Sequence, residues 1–141
     1  MSTSLQELGR AVKRLQNRHH NALNAGLREL GVSLVQWDAL RHLDQRPDAS
    51  LHDLAQLTFQ TDQAFGTLAA RMVDRGLIER VPGPGRAVRH RLTDRGRQVR
   101  HAGDEIMERV LAESFAPLSP EQRATLGGLL DRLLEADPEG G

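Results

Sequence analysis

The sequence predicts a mainly α-helical chain with a small β-hairpin, in the order α-α-α-α-β-β-α-α, assembled as a dimer. Three observations carry this. Apolar residues recur at spacings of three and four through most of the chain. The pattern switches to a two-residue alternation only around a Pro-Gly cluster near residue 84. And the helical segments at the two ends carry more apolar face than the small domain between them can cover.

Each element follows from local chemistry. Leu5, Leu8, Val12, Leu15, His19, Leu23 and Leu27 line one face of a long helix over residues 5–29, which Gly31 ends. Ser33 stands at an N-cap position, and Leu34, Trp37, Leu40 and Leu43 follow as a shorter amphipathic helix stopped before Pro47. Ser50 opens a third helix through Leu51, Leu54, Ala55 and Leu57. Thr58-Phe59-Gln60 breaks the pattern, Thr61 and Asp62 offer capping oxygens, and a fourth helix runs through Phe65, Leu68, Ala69, Met72 and Val73 to Gly76. Two short helices joined by so tight a turn match a helix-turn-helix. Leu77–Val81 and Val88–Leu92 then read as strands flanking Pro82-Gly83-Pro84-Gly85, a hairpin tipped by Arg86. Thr93 caps a fifth helix to about Phe115. Ser119-Pro120-Glu121-Gln122 is an N-terminal box for a sixth, whose stripe is Leu126, Leu129, Leu130, Leu133 and Leu134. The expected division is 1–32 and 93–136 for dimerisation, 33–92 for the DNA-binding region, and 137–141 as a disordered tail.

The composition removes several function classes. The 141 residues include no cysteine, so disulfides, thiolate metal sites and thiol redox switches are out. Aromatic residues are 3%, too few for a single-strand stacking platform. No stretch reads as a membrane span or a signal peptide, and a cytoplasmic protein is expected. The net charge is zero but unevenly spread. Residues 60–100 hold nine arginines against four acids, whereas residues 101–141 hold three against nine. The basic middle suits a polyanion.

A hairpin after a helix-turn-helix is a winged helix, and the sequence around it is specific. Met72-Val73-Asp74-Arg75-Gly76-Leu77-Ile78-Glu79-Arg80 is followed, after the wing, by Leu92-Thr93-Asp94-Arg95-Gly96. This combination resembles the MarR family of winged helix-turn-helix transcriptional regulators over roughly residues 5–136. The resemblance implies a homodimer on a pseudo-palindromic double-stranded DNA operator, acting as a repressor and modulated by a small-molecule effector. Two departures stand out: the wing tip reads Pro84-Gly85-Arg86, without the aspartate common there, and Gly66-Thr67 stands where a Thr-Arg pair is common.

On the fourth helix, Gln63, Thr67 and Arg71 lie away from the apolar face. Gln63 can pair with adenine, Thr67 can meet a base, a phosphate or a thymine methyl, and Arg71 suits guanine or phosphate. Thr61 at the helix start can bond a phosphate. Asp62 is expected to cap, because a carboxylate is repelled by phosphates. The resemblance assigns Arg86 to the minor groove; Arg89 and Arg91 project from a strand, and phosphate contact is expected for one of them, Arg89. Trp37, His19 and His42 are candidates for an effector pocket, although a lone tryptophan on an apolar face is more often core. No metal or cofactor is expected, since His19, His20, His42 and His101 lack ligand spacing. No catalytic motif is visible and no enzyme is expected. The alternatives are a winged helix serving protein–protein contact and a metal-responsive regulator.

Overall fold

The computed structural model describes residues 3–85 and 87–135. Its elements are α1 (Leu5–Arg28), α2 (Leu34–Gln45), α3 (Leu51–Leu57), α4 (Asp62–Asp74), β1 (Ile78–Pro82), β2 (Val88–Leu92), α5 (Asp94–Phe115) and α6 (Pro120–Glu135). This is the expected order. The tail at 137–141 lies outside the described residues.

The helix starts are set by side-chain caps. Ser33 Oγ accepts from the Gln36 N–H while Gln36 Oε1 accepts from the Ser33 N–H, and Ser50 and Asp53 repeat the arrangement. Thr93 Oγ1 accepts from the Gly96 N–H, and Ser119 and Gln122 close a third box. Each such cap is worth about 1 kcal/mol. At the other ends, Gly31 and Gly76 take φ of 77° and 74°, the left-handed geometry that reverses the chain after a helix. Phe59, in the turn between α3 and α4, adopts φ 58° without being glycine, and its side chain is 87% exposed. That conformation costs about 1–2 kcal/mol.

One core joins what the sequence divides into three. Leu27, Val32, Trp37, Leu40, Leu43, Leu54, Phe65, Met72, Leu77, Leu92, Val99 and Ile106 form a single buried cluster. The C-terminal half of α1 and the N-terminal half of α5 therefore pack on α2 and belong to the body that carries the helix-turn-helix. α6 buries no residue, and Leu129, Leu130, Leu133 and Leu134 are exposed, as are Leu5, Leu8 and Val12 of α1.

Two glycines set the spacing of this body. A Cβ at Gly103 of α5 would overlap the Trp37 indole, and one at Gly96 would overlap the Leu77 carbonyl oxygen. Trp37 Nε1–H donates to the Arg100 carbonyl at 3.0 Å, one turn before Gly103. β1 and β2 pair antiparallel with Ile78 opposite Leu92, Glu79 opposite Arg91 and Arg80 opposite His90.

The glycines have opposite mutational signs. Gly96→Ala should lose about 1–3 kcal/mol of unfolding free energy, since backbone blocks the new methyl. Gly66 is a mid-helix residue of α4, and a methyl added there would meet nothing within 4 Å. Gly66→Ala should therefore gain about 0.5–1 kcal/mol. Urea denaturation of the two variants beside the wild type checks both; equal shifts of the same sign would contradict the packing.

Candidate DNA interface and effector cleft

α4 is held by its inner face and shows its outer one. Phe65, Ala69 and Met72 are buried, whereas Thr61, Gln63, Thr67 and Arg71 are exposed. Gln63, Thr67 and Arg71 are four residues apart, which puts them in one row along the helix. Thr67 Oγ1–H donates back to the Gln63 carbonyl at 3.2 Å, so its outward side offers a methyl and a lone pair. Thr61 Oγ1 accepts from the Ala64 N–H at 3.1 Å and is the N-cap, which leaves its hydroxyl proton free for an acceptor. Asp62 does not cap, contrary to the sequence expectation. Its carboxylate lies 2.8 Å from Nδ1 of His52 on α3, because the helix-turn-helix angle brings the two first turns together.

The basic character of residues 60–100 is more committed than its arginine count implies. Arg91 pairs across the strands with Glu79, and Arg97 pairs with Asp94. Arg75 reaches the Gly31 carbonyl and Gln36 Oε1, tying the end of α4 to the α1–α2 turn. Arg100 is an inner strut, 3.0 Å from Asp44 and paired also with Asp104. Arg89 is half-buried, and its Nε–H donates to the Asp48 carbonyl at 3.2 Å. Arg86 lies outside the described residues.

The alternation expected of β2 has an unexpected inward residue. His90 is 4% exposed and shares the inner side with Leu92, while Val88 is half out. Burial holds its imidazole below the ordinary value of 6.5, with the Arg80 charge opposite adding to the effect. Only the period-two pattern could have flagged it, and a histidine among arginines reads as polar.

Trp37, His19 and His42 do not line one cavity. An open cleft of about 710 Å³ lies between α1, α2, α5 and the α3–α4 turn, bounded by His20, Leu23, Leu34, Trp37, Phe59 and Met107. His19 lines a separate apolar hollow with Phe115, Leu126 and Leu130. There its Nε2 is 2.6 Å from Ser114 Oγ, and its ring meets Phe115 edge-on. His42 lines neither. Its Nε2 lies 3.3 Å from the Arg41 guanidinium and 3.5 Å from Asp38 Oδ2. Burial lowers its pKa, against the opposing pull of Asp38.

His20, which by sequence alone invites only a metal-ligand role, lines the cleft with a defined polarity. The Leu34 N–H donates to Asn24 Oδ1 at 2.8 Å. That fixes the amide, so Asn24 Nδ2–H donates to His20 Nε2 at 3.0 Å and the neutral imidazole keeps its proton on Nδ1. Among the described residues, no three His, Asp or Glu side chains converge in a metal-binding group, and no helix is long and apolar enough to cross a membrane.

The sequence model of the MarR family matches residues 30–87, the segment from the α1–α2 turn through β1 to just before β2. The HTH-type transcriptional repressor Rv2887 of Mycobacterium tuberculosis is 29% identical over 113 residues, 79% of this chain and 81% of that one. The solved structure of Rv2887 in complex with DNA superimposes with a TM-score of 0.76 at 26% identity, covering 94% of this chain and 98% of that one. Over this segment the chain is similar to MarR family proteins. Rv2887 in complex with salicylic acid superimposes with a TM-score of 0.74 at 27% identity, over 94% and 97% of the two chains. Within this family frame, α3 and α4 are the helix-turn-helix and β1–β2 the wing.

The two lowered histidines give the chain a defined acid response. The unfolded chain binds their protons at the ordinary value and the folded chain does so only at lower pH. Their contribution to stability is therefore complete above about pH 6.5 and is lost as pH falls through that value towards the lowered folded ones. In urea unfolding followed from about pH 7 to about pH 5, His90→Gln should lose less stability than the wild type. Parallel declines would contradict the burial of a neutral ring at this position.

Proposed function

We propose that the chain is a homodimeric, sequence-specific regulator that binds double-stranded DNA as a repressor and is modulated by a small-molecule effector. The observation that carries the reading is the exposed row Gln63, Thr67 and Arg71 on a helix whose other face is locked in the core. A row of this length enters a major groove and reaches base edges from its first turns. The relative Rv2887, solved with DNA, supports it. Gln63 supplies paired donor and acceptor groups, Thr67 a methyl and a lone pair, Arg71 a cation, and Thr61 a hydroxyl for phosphate. Arg86 and Arg89 make the backbone and minor-groove contacts of the wing.

A single copy leaves the leucines of α6 and the N-terminal half of α1 in water. A second copy covers them and places two α4 helices on two half-sites. Residues 1–32 and 93–136 supply that contact and residues 33–92 face DNA, although the ends of α1 and α5 nearest the core also support the winged helix. The effector enters the cleft beside His20 and Trp37, whose lining joins apolar side chains to the polar groups of His20, Asp38 and Arg41. The salicylic acid complex of Rv2887 supports a small ligand for this architecture. The reading assigns the chain no catalytic step.

Base reading and backbone holding are separable. Gln63→Ala should cost about 1–3 kcal/mol on a selected duplex and relax preference at one base pair per half-site. Arg89→Ala should weaken selected and scrambled duplexes alike and flatten the plot of log affinity against log salt by about one phosphate per subunit. A salt titration of both variants on both duplexes checks this. Wild-type behaviour of both at every salt concentration would overturn the docking of α4 and the wing.

A further inference from the structure

The two helices of the helix-turn-helix are joined at their first turns by an imidazole–carboxylate pair. Nδ1 of His52 on α3 is 2.8 Å from Oδ1 and 3.0 Å from Oδ2 of Asp62 on α4. Both groups stay in water, with 61% and 65% of their side-chain surfaces exposed. The position is costly for a carboxylate. Asp62 precedes Gln63 directly, so on the reading above it faces the phosphates that α4 must approach.

The hydrogen bond determines what the ring can offer. An ionised carboxylate only accepts, so Nδ1 of His52 carries the hydrogen. The neutral ring then presents a bare lone pair at Nε2, which cannot bond a phosphate oxygen. The imidazolium presents N–H at both nitrogens and can hold Asp62 with one and a phosphate with the other. We propose that His52 is a proton-linked DNA contact: it takes up a proton as DNA binds, neutralises Asp62 through Nδ1–H and donates Nε2–H to the DNA backbone. Affinity for DNA therefore rises as pH falls. This rests on the DNA-binding reading above.

Further charged groups stand near the pair. Asp53, the next residue on α3, lies close enough to feel the ring, and its carboxylate is occupied by the Ser50 N–H at 3.0 Å. Asp62 faces the ring from α4. Among the described residues, Arg89 of β2 is a cation on this side; its charge reaches Asp53 and its Nε–H is engaged by the Asp48 carbonyl. Two carboxylates thus stand beside the imidazole, and incoming phosphates add further negative charge.

The test is fluorescence anisotropy of the full chain on a duplex selected from a random pool and on a scrambled duplex, from about pH 8 to about pH 6. The wild type should tighten by about tenfold or more over that range, within the limit of tenfold per pH unit for each proton taken up. His52→Gln keeps an N–H for Asp62 but cannot charge, and should lose most of that slope on both duplexes. His52→Arg carries a permanent cation and should bind tightly with no slope from this position. A wild-type slope in His52→Gln, or DNA binding by the wild type that ignores pH, overturns the proposal while leaving the DNA-binding reading intact. No binding of the wild type to any duplex at any pH overturns both. Circular dichroism reports whether the variants fold. If they do not, NMR titration of the wild-type His52 ring decides: its midpoint moves up when DNA is added, or it stays and the proposal fails.

Discussion

The contact between Trp37 and Gly103 is the constraint on which the arrangement of this molecule depends. The indole of α2 lies against α5 at a place where only glycine leaves room, and its N–H is satisfied by the Arg100 carbonyl. Arg100 then reaches back from α5 to Asp44 near the end of α2. Two helices are thus pinned at close range by one packed ring, one hydrogen bond and one ion pair. α2 leads into the helix-turn-helix, and α5 leads to the exposed leucines of α6. The seam between them therefore sets how α4 stands relative to the surface that a second copy would cover. Core packing transmits displacement because it has few voids to absorb it. The cleft beside His20 shares Trp37 as a wall, so an occupant there would press on the same seam.

Much of the fold was legible in the sequence because the helix boundaries are local events. Ser33 with Gln36, Ser50 with Asp53, and Ser119 with Gln122 each close within four residues, and each marks its helix start correctly. The hairpin announces itself through Pro82-Gly83-Pro84-Gly85. The misreadings concern partners distant in the chain. Asp62 reads as a cap until the turn at Phe59 brings His52 beside it. His90 reads as one more polar residue of a basic strand until the hairpin folds inward. Gly96 and Gly103 give no local signal of their role, yet they are where α5 approaches the Leu77 carbonyl and the Trp37 ring.

The exposed row on α4 was legible for the same reason as the helix itself, since a spacing of four needs no partner to be seen. What the row faces was not. Electrostatics shows the difference most clearly. Counting arginines between residues 60 and 100 describes a basic segment, but Arg91, Arg97 and Arg100 each hold a carboxylate and Arg75 and Arg89 hold carbonyls. An arginine spent on an internal partner still contributes to the long-range field, but it has fewer free donors for a phosphate. The field would draw DNA to this side of the molecule, and the exposed groups of α4 and the wing would then decide the register.

Two copies joined through the terminal helices would present two α4 helices on one face of a duplex. Selection of bound duplexes from a random pool, followed by sequencing, tests it most directly. The account predicts an enriched inverted repeat whose half-site centres are about one helical turn, or about 10 base pairs, apart. Enrichment of a single half-site without a symmetry mate, or no enrichment over the starting pool, would contradict it.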